Sequence, residues 1–244
     1  MHTNATETRA RTERAGGIAA LYLSLALLAA IPYFLVLVDY PGAATPADKV
    51  NLIVDNYPSM YTVYLATYLL FGLAVGVLAL SLHDRLREAA PLTSRVTTVV
   101  GLTWSFALVA SGLIFTYGLT SIHDIAATDF SQSVSIWQAI EPVALALGGG
   151  GGELLGGLWV LLVSGLGLKA GIWPKALAWL GVVAGLIGLI SVIPPLHDAG
   201  IAFGLLEIVW LAWVAGRFLR SQDAPGVDVP KDESLDPVGT FGEA

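Results

Sequence analysis

The sequence predicts an all-α integral membrane protein, a bundle of six transmembrane helices with both termini in the cytoplasm. Of its 244 residues, 55% are hydrophobic and 13% are charged, whereas a soluble domain usually has about a quarter of its residues charged. Six apolar runs each reach the roughly 20 residues that a membrane span needs. The basic residues fall almost entirely on one side of these runs. Together these observations indicate that the solvent of this chain is lipid.

The predicted spans follow the apolar runs in chain order. The first run has about 23 residues, more than the roughly 7–15 of a signal-peptide core, and therefore predicts a retained first helix. Pro174 suits the first turn of the fifth span. A turn built from helix breakers, with Pro194 and Pro195, separates the last two runs. The six predicted spans are 16–38, 60–82, 96–119, 142–168, 174–193 and 201–219.

Lys and Arg favour the cytoplasmic side of a membrane protein, so their positions set its orientation. Eleven of the twelve basic residues precede the first run, follow the second or fourth run, or end the sixth. Lys49 alone falls on the opposite side. The sequence therefore predicts a plasma-membrane protein with a cytoplasmic segment over 1–15, a transmembrane domain over 16–220 and a cytoplasmic tail over 221–244. That tail is acidic and rich in Asp, Pro and Gly, a composition that predicts disorder.

Several classes of chemistry are excluded by what the sequence lacks. Without cysteine it has no disulfide, no thiolate metal site and no cysteine catalysis. A retinal Schiff base needs a lysine inside a span, a b-type haem usually needs paired histidines there, and neither occurs. No hydrolase signature appears, and no Lys-Ser/Thr follows the glycine run as a phosphate loop requires. The basic residues flank the membrane and do not form a nucleic-acid footprint. We therefore expect no cofactor and no nucleic-acid partner.

Two carboxylates lie inside predicted spans. A rise of 1.5 Å per residue from the outer helix ends places Glu153 about 16 Å deep and Glu207 about 10 Å deep. No span interior contains Lys or Arg, so an ionised Glu there has no fixed cation nearby. An ionisable side chain at this depth is a functional-site hypothesis by default, here a ligand- or ion-binding site. The alternative is a neutral Glu that holds helices together or faces a small water pocket.

The glycines around Glu153 allow two interpretations. In the simpler one they let neighbouring helix backbones approach closely, and the pairs Gly72/Gly76 and Gly181/Gly185 repeat that pattern in other spans. In the other, they break the fourth span, because each Gly is about 1 kcal/mol worse than Ala in a helix, and broken helices mark transporter binding sites. The glycines concerned are Gly148, Gly149, Gly150, Gly151, Gly152, Gly156 and Gly157.

A stripe of four tyrosines follows one face of the second span, because Tyr57, Tyr61, Tyr64 and Tyr68 are separated by four, three and four residues. An interfacial aromatic belt explains the outer pair. Tyr68 lies deeper, where its hydroxyl needs a hydrogen-bond partner, and the Glu153 carboxyl group is a candidate for that partner. Packing is the plainer explanation of such a stripe.

Two His-Asp pairs lie on the outer side at span ends, namely His123 with Asp124 and His197 with Asp198. With a further carboxylate, such pairs form a metal site or a pH sensor. The plainer explanation is that Asp198 caps the sixth span and that His123 lies in a polar loop. We therefore predict no metal and keep the four residues as weak outer candidates.

Two stretches resemble a known family. The first is 14–23 (RAGGIAALYL), and the second combines 156–162 (GGLWVLL), 171–174 (GIWP) and 180–185 (LGVVAG). They are similar to the prokaryotic membrane-protein family catalogued as domain of unknown function 4386. The resemblance covers roughly residues 10–220 and implies a multi-helix integral membrane protein without an assigned activity. It supplies no catalytic residues.

Three functions fit these observations. The first is a small-solute or proton/cation-coupled transport or ligand-binding protein centred on Glu153, with Glu207 and Tyr68 beside it. The second is a non-catalytic scaffold or accessory subunit in which the carboxylates only fix helix packing. A membrane-embedded enzyme is the least favoured. The expected partners are the lipid bilayer and a small-molecule or ion ligand, and homo-oligomerisation stays open.

Overall fold

The computed structural model describes residues 2–148 and 153–220, and these residues fold as a helical bundle. The predicted all-α class is therefore confirmed for the described residues. The predicted disordered tail and Gly149 to Gly152 lie outside them. Nine α-helices occur in the described part of the chain: α1 His2–Pro32, α2 Pro46–Asp55, α3 Tyr57–Tyr64, α4 Phe71–Leu86, α5 Pro91–Ala126, α6 Phe130–Gly148, α7 Leu154–Lys169, α8 Lys175–Ile190 and α9 Ala199–Arg220.

Two π-helical turns extend these helices into longer rods. Tyr33–Leu37 prolongs α1, and Leu65–Leu70 joins α3 to α4. Short 3₁₀ turns occur at Tyr40–Gly42 and Pro194–Leu196. A π-helical turn inserts extra backbone into a helix and is frequent at functional sites. Phe34 belongs to the first of these turns, and Thr67 and Tyr68 belong to the second.

Four helical segments in the described part of the chain are long and apolar enough to cross a membrane, which indicates a membrane protein. They correspond to the first, second, third and sixth predicted spans. The four segments are Glu7–Leu37, Tyr57–Leu86, Pro91–Ala126 and Ala199–Arg220. On their outer surfaces they leave large apolar side chains exposed, such as Leu28, Phe106 and Leu205. Exposed apolar surface on this scale suits contact with lipid.

The predicted fourth span, 142–168, includes residues of two helices in the described part of the chain. Its first residues belong to α6, which starts at Phe130 and ends at Gly148. Glu153 then has a non-helical backbone, with φ −89° and ψ 55°, immediately before α7. A non-helical backbone at Glu153 agrees with the interpretation in which the glycine run interrupts the span. The fifth run forms α8, whose 16 residues span about 24 Å.

The rods close into a ring. The α1 helix packs against α9 and α4, α4 against α5, α5 against both α6 and α7, α7 against α8, and α8 against α9. The α2 helix packs across α5 and α6. Gly17 near the start of the chain lies against Leu219 near the end of α9, so both lie at one end of the bundle, which we call the terminal end.

Close backbone contacts between helices depend on small residues. A Cβ atom at Gly157 in α7 would lie 2.9 Å from the Gly185 carbonyl oxygen in α8. A Cβ atom at Gly72 in α4 would lie 2.9 Å from the Ser105 carbonyl oxygen in α5, and the Ser105 hydroxyl donates a 2.6 Å hydrogen bond to the Gly72 carbonyl. These short distances agree with the packing interpretation of Gly72, Gly157 and Gly185.

Two apolar cores fill the bundle. The first core extends to the terminal end and includes Leu82, Trp159 and Phe218. The second core lies beyond it, among α2, α3, α5 and α6, and includes Phe115 and Trp137. Between the two cores the bundle is not fully packed, and the candidate site lies there.

At the start of α2, Thr45 and Asp48 form a capping box. The Asp48 amide donates to the Thr45 hydroxyl oxygen, and the Asp48 carboxylate accepts from the Thr45 amide. The carboxylate also accepts from the Thr45 hydroxyl, and these bonds lower the pKa of Asp48 below its usual value. This box fixes the polar entry to the helix that covers the second core.

Candidate functional site

A cavity of about 200 Å³ lies between the two cores and is lined from five directions. Its walls come from α1 and the π-helical turn that prolongs it, from the rod formed by α3, Leu65–Leu70 and α4, from α5, from the junction of α6 and α7, and from α9. The lining residues are Leu27, Ala30, Phe34, Thr67, Tyr68, Phe71, Trp104, Leu108, Gly148, Glu153 and Glu207. The three predicted binding residues, Glu153, Glu207 and Tyr68, therefore share one cavity.

Three wall elements depart from α-helical geometry at the level of the cavity. Phe34 belongs to the π-helical turn Tyr33–Leu37, and Thr67 and Tyr68 belong to Leu65–Leu70. Glu153 stands at the break between α6 and α7. Irregular backbone at membrane depth is tolerated where it is buried in protein or lines a cavity. The irregular backbone segments of this protein thus lie where they line the cavity.

Glu153 is held by its backbone, which leaves its carboxyl group available. Its amide donates a 3.0 Å hydrogen bond to the Ser191 hydroxyl oxygen at the end of α8. Ser191 in turn donates to the Gly188 carbonyl oxygen at 2.7 Å. The carboxyl group accepts no hydrogen bond from the described residues, and its Oε2 atom lies 3.4 Å from where a Cβ at Gly156 would stand. The side chain therefore lines the cavity without a fixed partner among the residues that the structure describes.

Glu207 is 3% exposed and lines the same cavity from α9. Its Oε1 atom is buried and has no hydrogen-bond partner among the described residues. A buried polar atom left unpaired costs about 1–3 kcal/mol, so most buried carboxyl oxygens have partners. The sequence anticipated similar depths for the two carboxylates only if their helices were neighbours. The structure has α8 between α7 and α9 and joins the two side chains through the cavity.

Tyr68 packs against both cores. Its ring stacks on Tyr64 with centroids 5.6 Å apart and lies 5.1 Å from the Phe115 ring. No hydrogen bond joins Tyr68 to Glu153 in the described part of the chain. Tyr68 therefore contributes an aromatic wall, and the predicted hydroxyl–carboxyl contact is not formed.

The glycines divide between the two interpretations. Gly148 ends α6, lines the cavity and packs against the Tyr68 ring and the Ser111 hydroxyl. Gly156 packs against Trp104, where a Cβ would lie 2.9 Å from the ring. Helix interruption and close packing therefore occur together on either side of Gly149 to Gly152, which lie outside the described residues.

The weak outer candidates for a metal do not come together. His123 stacks on Tyr57 with ring centroids 4.2 Å apart, and His197 Nδ1 lies 2.8 Å from the Ser191 carbonyl oxygen. Over 2–148 and 153–220, no group of three or more His, Asp and Glu side chains is arranged to hold a metal ion. Asp124 and Asp198 therefore gain no ligand partners from the described fold.

Sequence reasoning missed most of the aromatic wall. Phe34, Phe71 and Trp104 are ordinary apolar residues of apolar helices, and nothing in their spacing distinguishes them. Trp104 contacts the ring of Trp159 at 5.6 Å and that of Phe71 at 6.3 Å. Ser191 had a weak signal, as a polar residue that ends an apolar run just before Pro194. Its role in holding Glu153 follows only from the fold.

A hydrogen-bonded ion pair beside the second core was also not predicted from the sequence. Glu141 in α6 accepts hydrogen bonds from the Lys49 ammonium at 2.5 Å and from the Tyr40 hydroxyl at 2.6 Å. Burial and the nearby Tyr64 and Glu141 groups raise the pKa of Tyr40 above its ordinary value. Lys49, the one basic residue on its predicted side, is thereby paired with Glu141 and is not among the cavity-lining residues.

No family model, no curated protein and no solved structure matches this chain. The resemblance to the prokaryotic family catalogued as domain of unknown function 4386 therefore stays a prediction. What the cavity binds has to be inferred from its own residues.

Proposed function

We propose that this chain is a multi-pass membrane protein that binds a small cation or proton-linked solute, or carries it across the membrane, in the cavity of Glu153 and Glu207. The observation that supports the proposal most is the burial of a Glu207 oxygen that has no hydrogen-bond partner among the described residues, in a cavity that Glu153 also lines. Intramembrane carboxylates of this kind mark ion and substrate pathways.

Charge balance supports a positively charged occupant. Among the described residues that line the cavity, none is Lys, Arg or His. Two carboxyl groups that share a water-poor space repel each other when both are ionised, and burying such charges is costly without a partner. A proton, a cation or a cationic ligand removes this cost. The cavity is therefore suited to take up positive charge.

We propose that the chain crosses the cell membrane six times and that both of its termini lie in the cytoplasm. The α6–α7 pair and α8 supply the fourth and fifth passes. The one-sided distribution of basic residues supports this orientation. The contact between Gly17 and Leu219 supports an even number of passes.

Glu153→Gln tests the proposal. A ligand that binds only the native state raises the midpoint of thermal unfolding, so the midpoint of the purified full chain should depend on pH and on added Na⁺, K⁺ or tetramethylammonium. We expect Glu153→Gln to fold and to lose most of that dependence. Glu88→Gln, at an exposed carboxylate between α4 and α5, is the matched control and should retain it.

The contrary result is a Glu153→Gln protein whose midpoint follows the wild type between about pH 5 and pH 8 and at every cation concentration. That result excludes a coupled site at Glu153. Liposomes that contain the protein and a trapped pH-sensitive dye then separate carriage from binding, because only carriage changes the internal pH.

The second candidate is a scaffold or accessory subunit, which the backbone tie from Glu153 to Ser191 favours. In that case Glu153→Leu keeps the same tie and folds with wild-type stability, while the wild type shows no response to cations. The carboxyl group of Glu153 accepts no hydrogen bond from the part of the chain that the structure describes, and this and the open space beside it favour the binding function instead.

A further inference from the structure

We propose that the occupant of the cavity is a small organic cation of the alkylammonium class. This inference rests on the proposed function and narrows it from any positive charge to one chemical class. It follows from the size of the cavity, the placement of its carboxyl groups and the composition of its remaining wall.

The volume sets the size of the occupant. A protein cavity of about 150 Å³ accommodates benzene. By proportion, the 200 Å³ of this cavity holds roughly eight non-hydrogen atoms. The cavity is therefore large for a bare inorganic ion and small for a drug-sized molecule, whose sites usually reach about 300 Å³ or more.

The carboxyl groups provide the charge complement. Glu207 presents a buried oxygen without a partner among the described residues, and Glu153 enters from the α6–α7 break on another wall. The positive charge of an alkylammonium group between them compensates the carboxylate charges electrostatically, with or without an N–H donor. Over 2–148 and 153–220, no other ionisable side chain lines the cavity except Tyr68.

The rest of the wall matches the carbon part of such a cation. Four aromatic rings line the cavity, from Phe34, Tyr68, Phe71 and Trp104, together with Leu27 and Leu108. The faces of Trp, Tyr and Phe attract ammonium groups, and aromatic walls are the usual means of recognising alkylated ammonium ions. A wall of this composition is poorly suited to an ion that keeps its hydration shell.

Hard metal ions are poorly matched to the same wall. Ca²⁺ requires six to eight oxygen ligands at about 2.3–2.6 Å. Besides the two carboxyl groups, the lining side chains offer only the hydroxyls of Thr67 and Tyr68. Thr67 already donates to the Val63 carbonyl oxygen at 2.7 Å. The described residues include no cluster of metal-ligating side chains.

Calorimetric titration of the full chain in mild detergent tests the inference. The probes are choline and dimethylbutanol, its uncharged carbon analogue of nearly equal shape. Choline should bind and dimethylbutanol should not. Glu207→Gln should weaken choline binding at least about tenfold, because a contact between charged groups is lost, while Glu88→Gln should bind as the wild type does.

Each alternative result has a distinct meaning. Equal binding of the two probes, or wild-type binding of choline by Glu207→Gln, overturns the organic-cation inference. If choline does not bind but Na⁺ or pH still shifts the unfolding midpoint in a Glu153-dependent way, the inference fails and the proposed function stands. If neither choline nor Na⁺ nor pH has an effect that depends on Glu153, both fail. The comparison of choline with dimethylbutanol needs only the wild-type protein. It therefore tests the organic-cation inference even if Glu207→Gln does not fold.

Discussion

Glu207 is expected to lower the stability of the fold that contains it. Its buried Oε1 atom has no partner in the described part of the chain, and an apolar side chain of similar size would avoid that penalty. Proteins often retain a destabilising group where function requires it, at the expense of stability. At the scale of single residues, substitutions of Glu207 therefore distinguish a structural role from a binding role more sharply than substitutions of Glu153. The Glu153 backbone also has a structural contact, the hydrogen bond of its amide to Ser191.

Glu207→Leu is predicted to stabilise the protein and to abolish its response to cations. Removal of the unpaired carboxyl oxygen should raise the free energy of unfolding by about 1–3 kcal/mol, measured by thermal or denaturant unfolding in detergent. A fall in stability would mean that the carboxyl group has a structural partner and would contradict the binding role.

Glu153, Glu207 and Tyr68 could be nominated from the sequence because a polar group in an apolar run is conspicuous. Their convergence on one cavity could not be predicted from the sequence, because it depends on how the helices pack against one another. Phe34, Phe71 and Trp104 gave no signal, since an aromatic residue in an apolar helix is ordinary. The binding role of all these residues remains a prediction.

At the scale of elements, α7 is a helix that tolerates little change where it meets α8. Gly157 lies against the backbone of α8, where a Cβ would be 2.9 Å from Gly185 O, Gly188 C and Leu189 N. Backbone atoms cannot rotate away from such a contact as a flexible side chain can. Gly165 lies on the same helix, and a Cβ added there would meet no neighbouring group within 4 Å.

Gly157→Ala and Gly165→Ala therefore form a matched pair. Gly157→Ala should lower the free energy of unfolding by about 1–3 kcal/mol through overpacking. Gly165→Ala should leave it unchanged or raise it by up to about 1 kcal/mol, because Ala favours a helix more than Gly. Thermal unfolding of both variants checks this, and equal effects would show that α7 and α8 are not in backbone contact.

The long helices were predictable because hydropathy and length determine them. The interruption before Glu153 was only one of two interpretations, since a glycine run allows both a break and close packing. The π-helical turns Tyr33–Leu37 and Leu65–Leu70 were not predictable, because each depends on contacts with neighbouring rods that the local sequence does not encode.

At the scale of the whole molecule, the number of membrane passes can be tested directly because the chain has no cysteine. Thr128 and Glu88 are exposed at opposite ends of α5. On intact cells, a membrane-impermeant maleimide should label Thr128→Cys. It should label Glu88→Cys only after permeabilisation. The reverse pattern would invert the proposed orientation, and labelling of both on intact cells would contradict a membrane-spanning α5.

The closure of the ring between α1 and α9 also orders events during synthesis. The Ser24 hydroxyl of α1 donates a 3.0 Å hydrogen bond to the Ile208 carbonyl of α9, across a sequence separation of 184 residues. Because α9 follows the other described helices in the chain, the wall that carries Glu207 is synthesised after the walls that carry Tyr68 and Glu153. A nascent chain that stops before α9 would lack that wall. Synthesis of α9 is therefore the step that supplies the second carboxyl group of the cavity.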